Sequence, residues 1–201
     1  MHSLTEMIIR EALSHYHECA KTKPSLNISL NLSASSLVDK SLSNFLLLHC
    51  GLNQINPEQV ILEITESAFT EDIGQALEIL TRLRMHGFGI SIDDFGTGYS
   101  SLQQLALLPF TELKLDRSFV DHCHSMTSHM TIVESSIKLA NNLGLKTVAE
   151  GVEDKETWQL LDKLGCHTCQ GFISGKAMPY HELATWHEGW KNKAKDIISE
   201  N

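Results

Sequence analysis

Two hydrophobic periods alternate along the chain. Leu4, Met7, Ile8 and Ala12 recur at helical spacing, and residues 26–33 (LNISLNLS) then alternate strictly, with Leu26, Ile28, Leu30 and Leu32 on one side. An apolar helix over SLSNFLLLHC follows and ends at Gly51, and residues 59–66 read as a strand. The next helix carries Ile73, Ala76, Leu77, Leu80 and Leu83 and stops at Gly87. GISIDDFG is a strand, followed by a short helix that Pro109 ends. A strand over 112–116 leads to a helix bearing Ile132, Val133, Ile137 and Ala140, stopped by Gly144. LKTVAEGVE is a strand, DKETWQLLDKLG a helix, and HTCQGFI a last strand. The final helix starts near Tyr180, and the polar residues 188–201 form a tail that frays. Six strands alternating with seven helices predict an α/β fold with a parallel sheet and right-handed crossovers. A closed β/α barrel needs eight strands and typically about 250 residues, so this pattern is short by roughly two βα units.

The strands are not the continuous apolar runs of a sheet buried on both faces. Asn27, Ser29 and Asn31 share the face opposite the leucines. Glu63 opposes Val60, Leu62 and Ile64; Asp93 opposes Ile90 and Ile92; Lys114 opposes Leu113 and Leu115. Asn31, Glu63, Asp93, Asp94, Lys114, Glu150 and Gln170 all fall at or near C-terminal strand ends, the rim where β/α barrels place their chemistry. Glu63, Asp93, Asp94 and Glu150, joined by Asn31, make a set of hard oxygens that repel one another without cations and suit Mg²⁺ or Mn²⁺. Four carboxylates exceed the needs of one ion, so two are expected, an arrangement suited to in-line attack of water on phosphorus. Lys114 either adds positive charge to that site or forms an ion pair with Asp116 or a rim acid. The loop Gly96-Thr97-Gly98-Tyr99-Ser100 directly after the double Asp reads as a lid or phosphate cradle.

Composition narrows the function classes. The 201 residues carry 16 Lys and Arg against 25 Asp and Glu, a formal charge of −9, which argues against a DNA or RNA polymer held by phosphate neutralisation. No apolar run is long enough to span a membrane, and the acidic, amphipathic N-terminus is no signal peptide. Five cysteines, an odd number, read as reduced thiols in a cytoplasmic protein. Cys166-x-x-Cys169 lacks a second pair to complete a zinc site and a helix start to acidify the first thiol. His122, Cys123, His124 and His129 read as a solvated loop entering a helix rather than a metal site.

The motif string resembles the EAL domain, the bacterial cyclic di-GMP phosphodiesterase family. It runs Asn31-Leu32-Ser33, Glu63-Ile64-Thr65-Glu66-Ser67, Asp93-Asp94-Phe95-Gly96-Thr97-Gly98-Tyr99-Ser100-Ser101-Leu102, Lys114-Leu115-Asp116-Arg117-Ser118-Phe119-Val120, Val148-Ala149-Glu150-Gly151-Val152-Glu153 and Gln170-Gly171-Phe172. The resemblance implies a modified TIM-type β/α barrel that hydrolyses cyclic di-GMP to linear pGpG with Mg²⁺ or Mn²⁺, over residues 1–187. It implies metal ligands at Asn31, Glu63, Asp93, Asp94 and Glu150, a water-holding Lys114, further catalytic positions at Glu150, Glu153 and Gln170, and a lid anchor at Glu66. The family's Glu-Ala-Leu motif sits on an early strand. The only Glu-Ala-Leu here, Glu11 to Leu13, falls in a predicted helix, so about six of eight strands are expected, with an N-terminally incomplete domain. Exposed sheet edges then predict a homodimer, and the family implies an upstream sensor or GGDEF domain in a longer parent protein. The competing reading is a non-catalytic module that binds cyclic di-GMP or a protein partner.

Overall fold

A computed structural model describes residues 3–21, 26–69, 73–97 and 102–198. The chain forms two compact units, Met1–Leu113 and Lys114–Asn201.

In the first unit, α1 (Ser3–Ala20) precedes β1 (Ile28–Leu32), α2 (Leu42–Leu52), β2 (Val60–Thr65), α3 (Ile73–Met85), β3 (Gly89–Phe95) and α4 (Leu102–Leu107). The strands β1, β2 and β3 pair in parallel, with Leu30 opposite Leu62 and Leu62 opposite Ile90. These residues and their neighbours Leu32, Ile64 and Ile92 form the buried helix-side face, met by Ala76, Ile79, Leu80 and Leu83 of α3. Helix α3 closes on Gly87, whose φ of +96° places it in the left-handed region. There the Phe88 amide donates back to the Leu83 carbonyl at 3.2 Å, satisfying a terminal acceptor.

Helix α1 buries the opposite stripe from the one its pattern suggested. Ile9, Leu13 and Tyr16 are in the core, while Leu4, Met7 and Ile8 are each more than half exposed. Both stripes have helical spacing. The buried one is fixed by Tyr16, whose hydroxyl donates to the Leu26 carbonyl ahead of β1 at 2.5 Å.

The strand β4 (Glu112–Leu115) straddles the two units. Within the first, the Thr111 amide donates to the Ile90 carbonyl at 2.8 Å, tying the approach to β4 onto β3. The second unit continues with α5 (Arg117–Val120), α6 (Thr127–Asn142), β5 (Lys146–Ala149), α7 (Lys155–Lys163), β6 (Thr168–Cys169) and α8 (Leu183–Ile198). The Glu150 amide donates to the Leu115 carbonyl at 3.1 Å, and β5 pairs in parallel with β6 through Val148 opposite Thr168. Asp116 caps α5 by accepting from the Ser118 amide at 3.0 Å, and Asp154 caps α7 by accepting from the Thr157 amide at 2.7 Å.

The strand count matches the sequence pattern: six among the described residues. Two details differ. The last strand is only two residues long, because Gly171 turns the chain against Val152. The C-terminal residues continue α8 to Ile198 instead of fraying, because Ile197 is buried and Trp190 packs on Trp158 and Trp186.

Candidate active site

Strand register brings part of the expected site together in the first unit. Asn31 of β1 lies opposite Glu63 of β2, and Glu63 lies opposite Ser91 of β3. Parallel partners present their side chains to the same face, so an amide, a carboxylate and a hydroxyl line up across three strands. Thr65 and Asp93 form the next layer on that face toward the strands' C-terminal ends. Glu63 is buried at 7% exposure. The Ser91 hydroxyl is buried with no hydrogen-bond partner among the described residues. A face built this way is made for polar contents, not for packing.

Asp94 follows at the end of β3 with φ of +56°, one of two non-glycine residues in the left-handed region among the described residues. Its amide donates to Asp93 Oδ1 at 3.1 Å. Strict strand alternation would turn Asp94 to the helix side; the positive φ re-aims the chain just where the glycine loop begins. Such backbone strain is characteristic of functional positions. Thr97 then closes a turn on Asp94, its amide at 3.2 Å and its hydroxyl at 2.9 Å from the Asp94 carbonyl.

Glu66 opens a 3₁₀ turn directly after β2 and is 4% exposed. Its Oε2 accepts a hydrogen bond from the Gly96 amide at 3.2 Å, across 30 residues. It ties the turn after β2 to the start of the glycine loop. Gly96 has φ of +96°, so the loop start demands glycine. The remaining loop positions Gly98, Tyr99 and Ser100 lie outside the described residues.

In the second unit Lys114 and Glu150 form an ion pair, Nζ to Oε1 at 2.6 Å, with side chains 4% and 20% exposed. Of the alternatives for Lys114, its partner here is the rim acid. Asp116, the other candidate partner, caps α5. Glu153 pairs with the Arg117 guanidinium at 2.8 Å in an exposed position. Gln170 follows β6, with its amide donating to the Ala149 carbonyl at 2.8 Å and its carbonyl accepting from the Val152 amide at 3.0 Å. Gly151, between Glu150 and Val152, has φ of +71°. The pattern gave no signal for Arg117 beyond its place in the Lys114 motif, yet it orients Glu153.

The other cysteine and histidine groups resolve differently. Cys123 is buried in the core, where burial raises its thiol pKa. His122 instead stacks on His129, ring centroids 6.4 Å apart. Cys166 departs from expectation. Its thiol is lowered to about 7, chiefly by a hydrogen bond from Cys169, aided by Thr147, while Cys169 is raised by the same contact. No helix N-terminus is needed.

Residues 1–177 match the model of the EAL domain. The chain belongs to the EAL domain family. Among its relatives is the bifunctional diguanylate cyclase/cyclic di-GMP phosphodiesterase MucR of Pseudomonas aeruginosa, 45% identical over 162 residues, which span 78% of this chain and 23% of MucR. The chain thus spans under a quarter of that relative's length. The solved structure of the PaMucR phosphodiesterase in complex with c-di-GMP superposes with a TM-score of 0.84 at 38% identity, covering 90% of this chain and 73% of that one. A Klebsiella pneumoniae BlrP1 complex with manganese and the cyclic dinucleotide superposes at 0.73 with 30% identity, covering 83% and 43%. This EAL chain therefore has the α/β barrel-type fold class of its relatives over the shared length.

Proposed function

We propose that this EAL chain hydrolyses cyclic di-GMP to linear pGpG with Mg²⁺ or Mn²⁺, within a domain spanning residues 1–187. The observation that carries the reading is the buried Lys114–Glu150 pair at the strand ends of an EAL domain. A lysine held within 2.6 Å of a carboxylate is an ammonium with its orientation fixed.

The donor chemistry fits divalent cations. Asn31, Glu63 and Asp93 present hard oxygens on one strand face, beside a buried hydroxyl that packing alone does not explain. Asn31, Glu63, Asp93, Asp94 and Glu150 would hold the ions, two in a complete domain. Bound there, the ions supply positive charge that lowers the pKa of water and stabilises the departing oxygen. The residues do the rest. Lys114 Nζ donates a hydrogen bond to the attacking water, and Glu150 Oε1 keeps the ammonium in place. Water adds to phosphorus, the P–O3′ bond breaks, and the product carries a new 5′-phosphate and a free 3′-hydroxyl. Glu153, steadied by Arg117, and Gln170 complete the substrate side. Glu66 anchors the start of the glycine loop at Gly96, the lid of this reading.

MucR is a bifunctional diguanylate cyclase and cyclic di-GMP phosphodiesterase, which supports a GGDEF or sensor domain in a longer parent protein. No helix among the described residues is long and apolar enough to cross a membrane. A cytoplasmic site and a homodimer complete the reading.

The test is release of pGpG from cyclic di-GMP by the chain with and without Mn²⁺, for wild type and Asp93→Asn. Metal-dependent release that falls at least 100-fold in the variant is expected. Undiminished turnover by Asp93→Asn overturns the metal reading. Tight cyclic di-GMP binding without release favours the non-catalytic module.

A further inference from the structure

Trp186, Gly189, Trp190 and Lys193 stand at i, i+3, i+4 and i+7 on α8 and share one face. Together with Phe172 and residues 174–178 they line a groove of about 470 Å³, within the size range of small-molecule sites. Its walls are aromatic. Trp186 stacks on Trp190 with planes 5° apart and centroids at 6.2 Å, and Trp158 of α7 supports Trp190 at 5.9 Å. Trp186 is held by its indole Nε1, which donates to the Ser174 carbonyl at 2.8 Å. Phe172 is 53% exposed at the groove.

Two cations border these walls. Lys176 Nζ lies 5.2 Å from the Phe172 ring centroid, and Lys193 Nζ lies 5.6 Å from that of Trp190 while donating to the Ile173 carbonyl at 2.8 Å. The chain has 25 acidic residues against 16 basic ones, yet no Asp or Glu is among the groove's described lining residues. Two glycines shape the space. A Cβ on Gly175 would come within 2.7 Å of the Trp186 Nε1, so glycine lets the loop lie on the indole. A Cβ on Gly189 would meet nothing within 4 Å, so the helix leaves the groove open there.

Rigid aromatic walls select a planar ring, and two ammonium groups without an opposing carboxylate select an anion. We propose that this groove binds a small planar aromatic anion, with its ring against the tryptophans and Phe172 and its charged group held by Lys176 and Lys193. None of these residues belongs to the proposed catalytic set, and the inference stands apart from the phosphodiesterase reading. Mononucleotides and aromatic carboxylates share the required chemistry.

All three tryptophans of the chain lie in this cluster, so their indole N–H signals in a nitrogen-15 correlation spectrum report on it directly. We would titrate 5′-GMP and indole-3-carboxylate, with guanosine and ribose 5-phosphate as controls lacking charge or ring. Saturable shifts of the tryptophan signals by at least one of the two anions, at least 10-fold tighter than by either control, are expected. GMP alone identifies a nucleotide site, and the carboxylate alone an aromatic-acid site; either supports the proposal. Lys176→Ala/Lys193→Ala should weaken binding at least 10-fold, and Gly189→Phe should abolish it while leaving the helical circular dichroism intact. Binding that survives both variants overturns the proposal, as does the absence of saturable shifts with both anions.

Discussion

The Lys114 ammonium sits 2.6 Å from the Glu150 carboxylate, a pair that joins the end of β4 to the residue after β5, the ammonium buried and the carboxylate partly open to solvent. Removing one partner takes the other's main charge contact away, at a cost of about 3 kcal/mol for a buried pair and less where one member meets solvent. Lys114→Met should lower unfolding free energy by roughly that amount, and Lys114→Met/Glu150→Gln should recover part of it. Urea unfolding of the three proteins checks this. Under the proposed mechanism both variants lose pGpG release, so a double variant with restored stability and no turnover separates the structural role of the pair from its chemical one.

Glu66 and Gly96 predict a different separation. Glu66 touches the loop start through the Gly96 amide, with its carboxylate 4% exposed. Glu66→Ala should leave Mn²⁺ affinity within a few-fold of wild type while turnover falls about 10- to 100-fold through poor loop closure. Glu66→Gln keeps an acceptor oxygen and should restore much of the loss. Calorimetric Mn²⁺ titration beside pGpG release checks both. Equal loss of metal affinity and turnover would make Glu66 a ligand.

The Cys166 thiol should react at neutral pH. Its pKa is lowered to about 7, first by the Cys169 hydrogen bond and then by Thr147, against the opposing effect of burial. The thiolate is therefore the favoured form as pH rises through about 7, and is lost as pH falls below it. Alkylation of Cys166 by iodoacetamide should rise with a midpoint near that value. Cys50, which burial pushes up to about 11, should stay unmodified. Cys169→Ala should move the Cys166 midpoint up toward the ordinary thiol range, and peptide mass spectrometry resolves the sites.

Alternation made the strands legible, because a parallel strand with one polar face still carries period two, and the register confirms it at Leu30, Leu62 and Ile90. Residue types at strand ends then pointed to Glu63, Asp93 and Lys114. What the sequence could not carry was the choice between equivalent stripes. Leu4, Met7 and Ile8 fit a helix as well as Ile9, Leu13 and Tyr16, and only packing against the rest of the first unit decides between them. Pairings across long separations, such as Lys114 with Glu150 or Glu66 with Gly96, also have no local signal. Neither does the positive φ of Asp94, because nothing about an aspartate beside another aspartate demands it.

Two glycines sharpen the account of the second unit. A Cβ on Gly171 would fall 2.1 Å from the Val152 carbonyl oxygen and 2.4 Å from the Val152 amide nitrogen. Both are backbone atoms held by their own bonds, Val152 N–H to the Gln170 carbonyl and Ile173 N–H to the Val152 carbonyl. No side-chain rotation can relieve such a clash, so Gly171→Ala must push β6 and Gln170 off β5. A loss of about 3 kcal/mol or more is expected, at the upper end of overpacking costs. Gly144 offers the contrast: its φ is +72°, but a Cβ there meets nothing within 4 Å. Gly144→Ala meets only the left-handed backbone penalty of about 1 kcal/mol. Urea denaturation of both variants tests the ranking, and hydrogen exchange at the Val152 and Ile173 amides localises the damage. Gly171 has no positive φ of its own, so equal destabilisation by the two would mean that the backbone at Val152 gives way to the added Cβ.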